Sequence, residues 1–222
     1  MRILILGATG MVGQGVLRES LLAQDVSEVV ALGRSPVGKQ AEKLREIVHA
    51  NLFDLTDIES QLQGFDACFF CLGVSSVGMQ ETAYAHITYD LTLSVAHTLL
   101  RLNPLMTFVY ITGAGTDSSE RGKSMWARVK GKTENALLSL PFKAVYLFRP
   151  GVIQPMHGVQ SRTLAYRLLY PLLWPFIAIL RPLMPGTILT TENVGWAMLN
   201  AARRGDGDKV LESKDIYQLS QG

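Results

Sequence analysis

Hydrophobic residues along the first two thirds of the chain arrive in short blocks, and the stretches between the blocks carry a helical repeat. Apolar runs of strand length stand at 2–6, 28–32, 46–48, 66–71, 107–112 and 143–148. Between them, 13–23, 57–63, 82–102 and 124–140 place apolar residues three and four positions apart, as a helix with one buried face does. Nearly uniformly apolar strands joined by helices predict an α/β fold with a doubly wound parallel sheet covered on both faces. The alternation stops after Arg149-Pro150-Gly151. A proline-interrupted stretch follows, and then Thr190-Thr191-Glu192 reads as a helix start, with the helix running through Ala202 and ending near Gly205. This tail is too small for a separate domain. The expectation is one domain over residues 1–222, with 151–204 contributing a small C-terminal cap over the strand ends, where open α/β sheets place their ligands.

The first apolar run is followed at once by Gly7-Ala8-Thr9-Gly10-Met11-Val12-Gly13, which opens the first helical stretch. That context makes a glycine pattern informative. Gly7 allows a tight turn, Gly10 lets backbone approach a pyrophosphate, and Gly13 permits helix to pack on strand, while the helix N-terminus supplies N–H donors through Thr9, Met11 and Val12. The motif predicts a Rossmann-type dinucleotide site. The end of the second strand selects between dinucleotides. It reads Ala31-Leu32-Gly33-Arg34-Ser35-Pro36, without the Asp or Glu that accepts hydrogen bonds from an NAD ribose. Arg34 suits a 2′-phosphate through charge-assisted bidentate bonds, with Ser35 as a second donor, so NADP(H) is the expected cofactor and NAD(H) the alternative.

Composition narrows the remaining classes. A hydrophobic fraction of 48% with mean hydropathy +0.18 excludes a disordered chain, and a net charge of +2 without basic runs argues against a nucleic-acid partner. Cys68 and Cys71 make a C-x-x-C spacing, but they lie in an apolar run and the second pair of a zinc site is missing. They are read as core residues, no metal site is expected, and the usage suits a reducing, cytoplasmic setting. The opening run meets Gly7 after a handful of residues, so it is read as a first strand rather than an export signal. The most apolar stretch, 168–180, is broken by Pro171 and Pro175 and is too short to span a bilayer as a helix. Packing within the cap, a lid over a substrate pocket, a dimer surface, and a protein or peripheral membrane contact are the readings left open for it.

With these motifs the chain resembles the short-chain dehydrogenase/reductase superfamily, in its atypical branch near the extended, epimerase-like members, and within that the TIP30-like oxidoreductase group. The matching residues include the Gly7–Gly13 turn, Asn51-Leu52, Cys71-Leu72-Gly73, 110–115, Lys130 and 147–151. The resemblance implies that Asn51 and Leu52 border an adenine, Leu72 and Gly73 the ribose and phosphates, and Lys130 the nicotinamide ribose. It also implies a tyrosine acid/base four residues before the lysine. Trp126 stands there, and an indole N–H donates a hydrogen bond but does not titrate near neutrality. The companion hydroxyl maps to Thr112, so Lys130 and Thr112 are what is left of the expected catalytic set. Tyr84, Tyr89, Tyr110, His86 and Asp117 are chemically able substitutes for the phenol that sequence does not place. The resulting expectation is an NADP(H)-binding oxidoreductase of a small organic substrate. Its alternative is a non-enzymatic, dinucleotide-responsive binding protein that uses 168–180 for its contacts.

Overall fold

The computed structural model describes residues 1–159, 186–206 and 209–222. Seven parallel strands form the central sheet in the order β3-β2-β1-β4-β5-β6-β9. They are β1 (Arg2–Leu6), β2 (Glu28–Gly33), β3 (Leu44–Val48), β4 (Ala67–Phe70), β5 (Thr107–Ile111), β6 (Ala144–Arg149) and β9 (Lys209–Glu212). Two shorter strands, β7 (Val152–Gln154) and β8 (Ile188–Thr190), pair separately. The chain reverses its direction of travel across the sheet between β1 and β4, which pair from Ile3↔Ala67 to Leu6↔Phe70. In an open α/β sheet the crevice beyond the carboxyl ends of those two strands is the ligand position.

Strand residues alternate between two cores. Ile3, Ile5, Ala67, Phe69, Val109, Tyr146 and Phe148 face one side, with α1 (Met11–Leu22), α5 (Thr191–Arg204) and α6 (Ser213–Ser220) over them. Leu4, Leu6, Cys68, Phe70, Phe108, Tyr110 and Leu147 face the other, under a 3-10 turn at Thr56–Gln61 and the helices α3 (Leu91–Leu102) and α4 (Met125–Leu138). Every β1 residue from Ile3 to Leu6 is fully buried, which is why that strand reads as apolar without a break. The C-x-x-C cysteines fall into opposite cores, Cys68 in one and Cys71 against the other, as free thiols. Burial pushes both thiols up, Cys71 to about 12, and among the described residues no group of three or more His, Cys, Asp or Glu is placed to hold a metal.

The structure departs from the sequence reading mainly after residue 150. Of the stretch expected to cap the strand ends, α5 lies instead in the helical layer beneath the sheet. Gly15 on α1 approaches Thr191 so closely that a β-carbon would stand 2.5 Å from its side chain, and Gly195 approaches Glu19 in the same way at 2.7 Å. The helix start is as expected, a capping box in which Asn193 N–H donates to Thr190 Oγ1 at 2.9 Å, and the helix ends at Gly205 with φ 51°. The alternation also resumes, with β9 beside β6 and α6 after it. Both escaped the pattern because β9 is a four-residue edge strand, Lys-Val-Leu-Glu, with a half-polar face. The stretch expected at 82–102 is not one regular helix: α2 (Glu81–Ala85) passes through a π-helical turn at His86–Asp90 into α3. The apolar 168–180 segment, with its cap, lid, dimer, protein and membrane readings, lies outside the described residues. Among the described residues no helix is long and apolar enough to cross a membrane.

Candidate functional site

The turn from β1 to α1 is built from backbone. Gly7 holds φ +83°, and a β-carbon on it would stand 2.7 Å from the Cys71 carbonyl carbon. At Gly13 a β-carbon would stand 2.1 Å from the Gly7 carbonyl oxygen, so only glycine lets α1 lie this close to the turn. Gly10 differs: its nearest obstacle is the Gly7 carbonyl oxygen at 3.4 Å, and otherwise the space above it is open. Gly10 is the N-cap of α1 and no side chain caps the helix. Met11 and Val12 begin the helix, and their first-turn N–H groups are donors of the kind that an anion satisfies. The Thr9 carbonyl receives Gln14 Nε2 at 3.1 Å, which ties the turn to the second turn of the helix.

Two adjoining hollows open at the carboxyl ends of the strands. The smaller, about 80 Å³, is bordered by Gly7, Thr9, Gly33, Arg34, Ser35 and Leu52 among others. The larger, about 470 Å³, runs from Arg34 past Asn51, Leu52, Leu72 and Gly73 to Tyr110 and Lys130. Arg34, Leu52 and Leu72 border both, so the hollows form one crevice with a guanidinium towards one end and an ammonium at the other. Among the described residues no Asp or Glu lines either hollow. Glu46, the carboxylate on the neighbouring strand, is occupied by Val37 N–H at 2.6 Å. A polar strip of Tyr84, Thr88, Thr92 and Tyr110 lines the larger hollow between apolar walls that include Phe53, Val74, Ile87 and Leu91. Ile87 and Thr88, in the π-helical turn, lie on the same wall as Leu91 and Thr92 four positions on.

Lys130 reaches this crevice from α4, and its Nζ donates to the Thr112 carbonyl at the end of β5. Burial pushes the ammonium down to about 8, while the carboxylate of Glu134 one turn further along α4 acts in the opposite direction. Thr112, expected as a catalytic hydroxyl, is 6% exposed and committed elsewhere. Its N–H donates to the Phe148 carbonyl at 2.8 Å, and its hydroxyl lies 2.7 Å from Glu134 Oε1 and 3.0 Å from the same carbonyl. Trp126 packs beside Gly115, its Cη2 3.6 Å from where a β-carbon would be, and does not line the crevice.

The substitute acids separate cleanly. Tyr89 lies under the Lys132 ammonium at 4.4 Å, and His86 pairs with Asp90 at 2.9 Å and stacks on Phe53. Asp117 is an acceptor hub for its loop, taking Ser119 Oγ and Gly122 N–H, each at 2.6 Å, and these bonds hold its carboxyl below the usual range. Tyr84 and Tyr110 do line the crevice, 2% and 1% exposed, and burial raises both phenols. Of the residues expected from sequence, Gly7, Thr9, Arg34, Ser35, Asn51, Leu52, Leu72, Gly73 and Lys130 line one crevice, and sequence reading gave no role to Glu134 or to the Arg149 side chain. The signal for Glu134 was an acidic residue four positions after Lys130, inside a helix face that packs against the sheet.

The sequence profile of the NAD dependent epimerase/dehydratase family matches residues 3–122, more than half of the chain. The chain belongs to that family. The resemblance to the TIP30-like group also holds: the rat protein HTATIP2 is 27% identical over 154 residues, 68% of this chain and 62% of that protein. The protein "FMP52-2, mitochondrial" of Scheffersomyces stipitis is 27% identical over 152 residues, 67% of this chain and 65% of that protein. The chain therefore spans just under two thirds of the length of these two relatives. Among solved structures, the Bordetella bronchiseptica enzyme WbmF in complex with NAD⁺ superposes with a TM-score of 0.68 at 15% identity, over 99% of this chain and 76% of that one. The family's NAD-binding Rossmann fold is thus the fold of this chain, with the matched residues spanning β1 to the loop before α4.

Proposed function

We propose that the crevice binds NADP(H) in preference to NAD(H), and that the protein is an oxidoreductase-like member of its family acting on a small organic substrate. The observation that carries the reading is Arg34, exposed at the end of β2 and bordering both hollows, with Ser35 beside it and, among the described residues, no lining carboxylate to repel a 2′-phosphate. The open space above Gly10 and the uncapped N-terminus of α1 fit a pyrophosphate, held by the 7–13 backbone with Thr9, Met11 and Val12. Asn51 and Leu52 border the adenine in this reading, Leu72 and Gly73 the ribose and phosphates, and Lys130 the nicotinamide ribose. When bound, the dinucleotide supplies hydride transfer, and the chain's residues bind and orient it.

A specific pair of observations favours a second reading. Trp126, at the position to which the resemblance assigns the acid/base, packs beside Gly115 and not on the crevice, and the Thr112 hydroxyl is taken by Glu134 and Phe148. In that reading the bound dinucleotide stabilises the protein and reports redox state, and the 168–180 segment makes a contact with another protein, a second copy of the chain or a membrane surface. A reducing, cytoplasmic setting is proposed for either case, in keeping with free Cys68 and Cys71. Titration calorimetry with NADPH and NADH tests cofactor choice. Arg34→Ala is expected to weaken NADPH by about 1.5 to 3 kcal/mol and leave NADH nearly unchanged. Equal losses for the two dinucleotides would remove Arg34 as the reader of the 2′-phosphate.

A further inference from the structure

Behind Lys130, away from the crevice, charged and polar groups converge that the dinucleotide reading leaves without a role. Glu134 is 1% exposed, and a carboxylate so deeply buried is costly unless it is answered by charge and hydrogen bonds. Arg149 answers it from the end of β6: Nε donates to Oε1 at 3.1 Å and to Oε2 at 3.2 Å, and Nη2 donates to Oε2 as well. The guanidinium is itself fixed by Ser118 Oγ at 2.5 Å and Glu212 Oε1 at 3.4 Å. Thr112 links this cluster to the crevice, its hydroxyl turned to Glu134 and its carbonyl receiving Lys130 Nζ.

We propose that Glu134 is a positioning residue for Lys130, acting through Thr112 and held in place by Arg149, so that the ammonium is fixed at the crevice wall. The inference rests on the reading of Lys130 as a group that grips the dinucleotide. Glu134 and Lys130 are one helical turn apart and would otherwise meet directly, drawing the ammonium away from the crevice. Arg149 occupies both carboxylate oxygens and leaves the Lys130 tip to the Thr112 carbonyl, while the remaining field of Glu134 still favours the charged amine. The other ionisable groups around the crevice do not supply that field. Tyr84 and Tyr110 are neutral phenols, Arg34 lines the same crevice with the opposite effect, and Asp117, whose carbonyl lies against Gly131, is occupied by Ser119 and Gly122. Burial already holds the ammonium down to about 8, so removing Glu134 leaves burial unopposed and moves its titration to lower pH.

The test follows the Lys130 side chain by NMR in lysine-labelled full-length protein, with the resonance assigned by Lys130→Arg. Glu134→Gln keeps the size of the side chain and an oxygen for its donors, and is expected to lower the proton affinity of Lys130 by about tenfold. Arg149→Lys keeps the charge and is expected to shift it by about twofold or less. A local loss of structure would move Lys130 the other way, towards an ordinary lysine, so a Glu134→Gln midpoint equal to or above that of the native protein overturns the proposal. Should Glu134→Gln fail to fold, Thr112→Val removes the hydroxyl through which Glu134 acts; it is expected to move the midpoint the same way, to lower pH, and an unchanged or higher one overturns the proposal. NADPH titration separates the two readings. A shifted Lys130 in a protein that does not bind NADPH keeps the positioning role and removes the cofactor reading, whereas NADPH binding with an unmoved Lys130 does the reverse.

Discussion

The two ends of the crevice are made of different material. At the β1–α1 turn the site is backbone: Gly7 and Gly13 are required by contacts with main-chain atoms of Cys71 and Gly7, and the space above Gly10 is left open. At the α4 end the site is side chains, with Lys130, Tyr84 and Tyr110 on the lining and Trp126 turned to Gly115. Backbone geometry survives any substitution that keeps the glycines, so the first end retains what a dinucleotide needs even in a distant relative. Side-chain chemistry, by contrast, is lost with one residue, since a phenol titrates and an indole does not. Binding and catalysis can therefore separate within a single fold.

The largest expected effect lies at the side-chain end. General acid–base catalysis contributes about 10² to 10⁴-fold in rate, so the native protein is expected to bind NADPH yet reduce generic aldehydes and ketones slower by a deficit of that order. NADPH oxidation over a carbonyl panel measures it, and brisk turnover that survives Lys130→Ala would place the chemistry elsewhere. Trp126→Tyr sharpens the contrast. A gain in turnover is expected only if the new phenol reaches the crevice that the indole avoids.

Next in size is the backbone end. Gly10→Val is expected to fold, because Gly10 has extended φ and ψ and its β-carbon position meets only one atom at 3.4 Å, yet to lose dinucleotide affinity by about 100-fold or more. Calorimetry on a variant of native stability is the measurement, and undiminished affinity would break the assignment of this turn to the pyrophosphate. Gly13→Val provides the control of opposite character. Its β-carbon would press on main chain at 2.1 Å, so the loss there is expected in folding, about 3 kcal/mol or more in urea denaturation.

The smallest expected effect is that of pH. Lys130 is charged below about 8 and neutral above it, so NADPH affinity is expected to be full at pH 7 and to fall by up to about tenfold for each unit beyond that point. Lys130→Met should flatten this profile. The stability contribution has the other sign. The folded ammonium titrates below its unfolded value, so the unfolded chain holds more protons between about 8 and 10.5, and the burial cost of the charge is relieved as pH rises through that window.

Much of the molecule is legible before any coordinates. Six of the seven sheet strands follow from apolar runs, because strands covered on both faces bury nearly every side chain and even the edge strand β3 keeps a short apolar end, and the β1–α1 turn follows from Gly7 and Gly13, which main-chain contact requires. Helix α5 is equally local, with its start at the Thr190 capping box and its end at Gly205. What remained hidden depends on contacts between residues distant in the chain. Strand β9 is half polar and four residues long, and pairing with β6 makes it a strand. Thr112 has the composition of a catalytic hydroxyl, and only the approach of Glu134 and Phe148 shows that hydroxyl to be in use. Arg149 and Glu134 lie 15 positions apart on different elements, and their union behind Lys130 exists only once β6 and α4 pack together. Periodicity records which side of an element is buried, because burial acts residue by residue. The partner that a buried polar group finds is set by the packing of elements, and no local pattern encodes it.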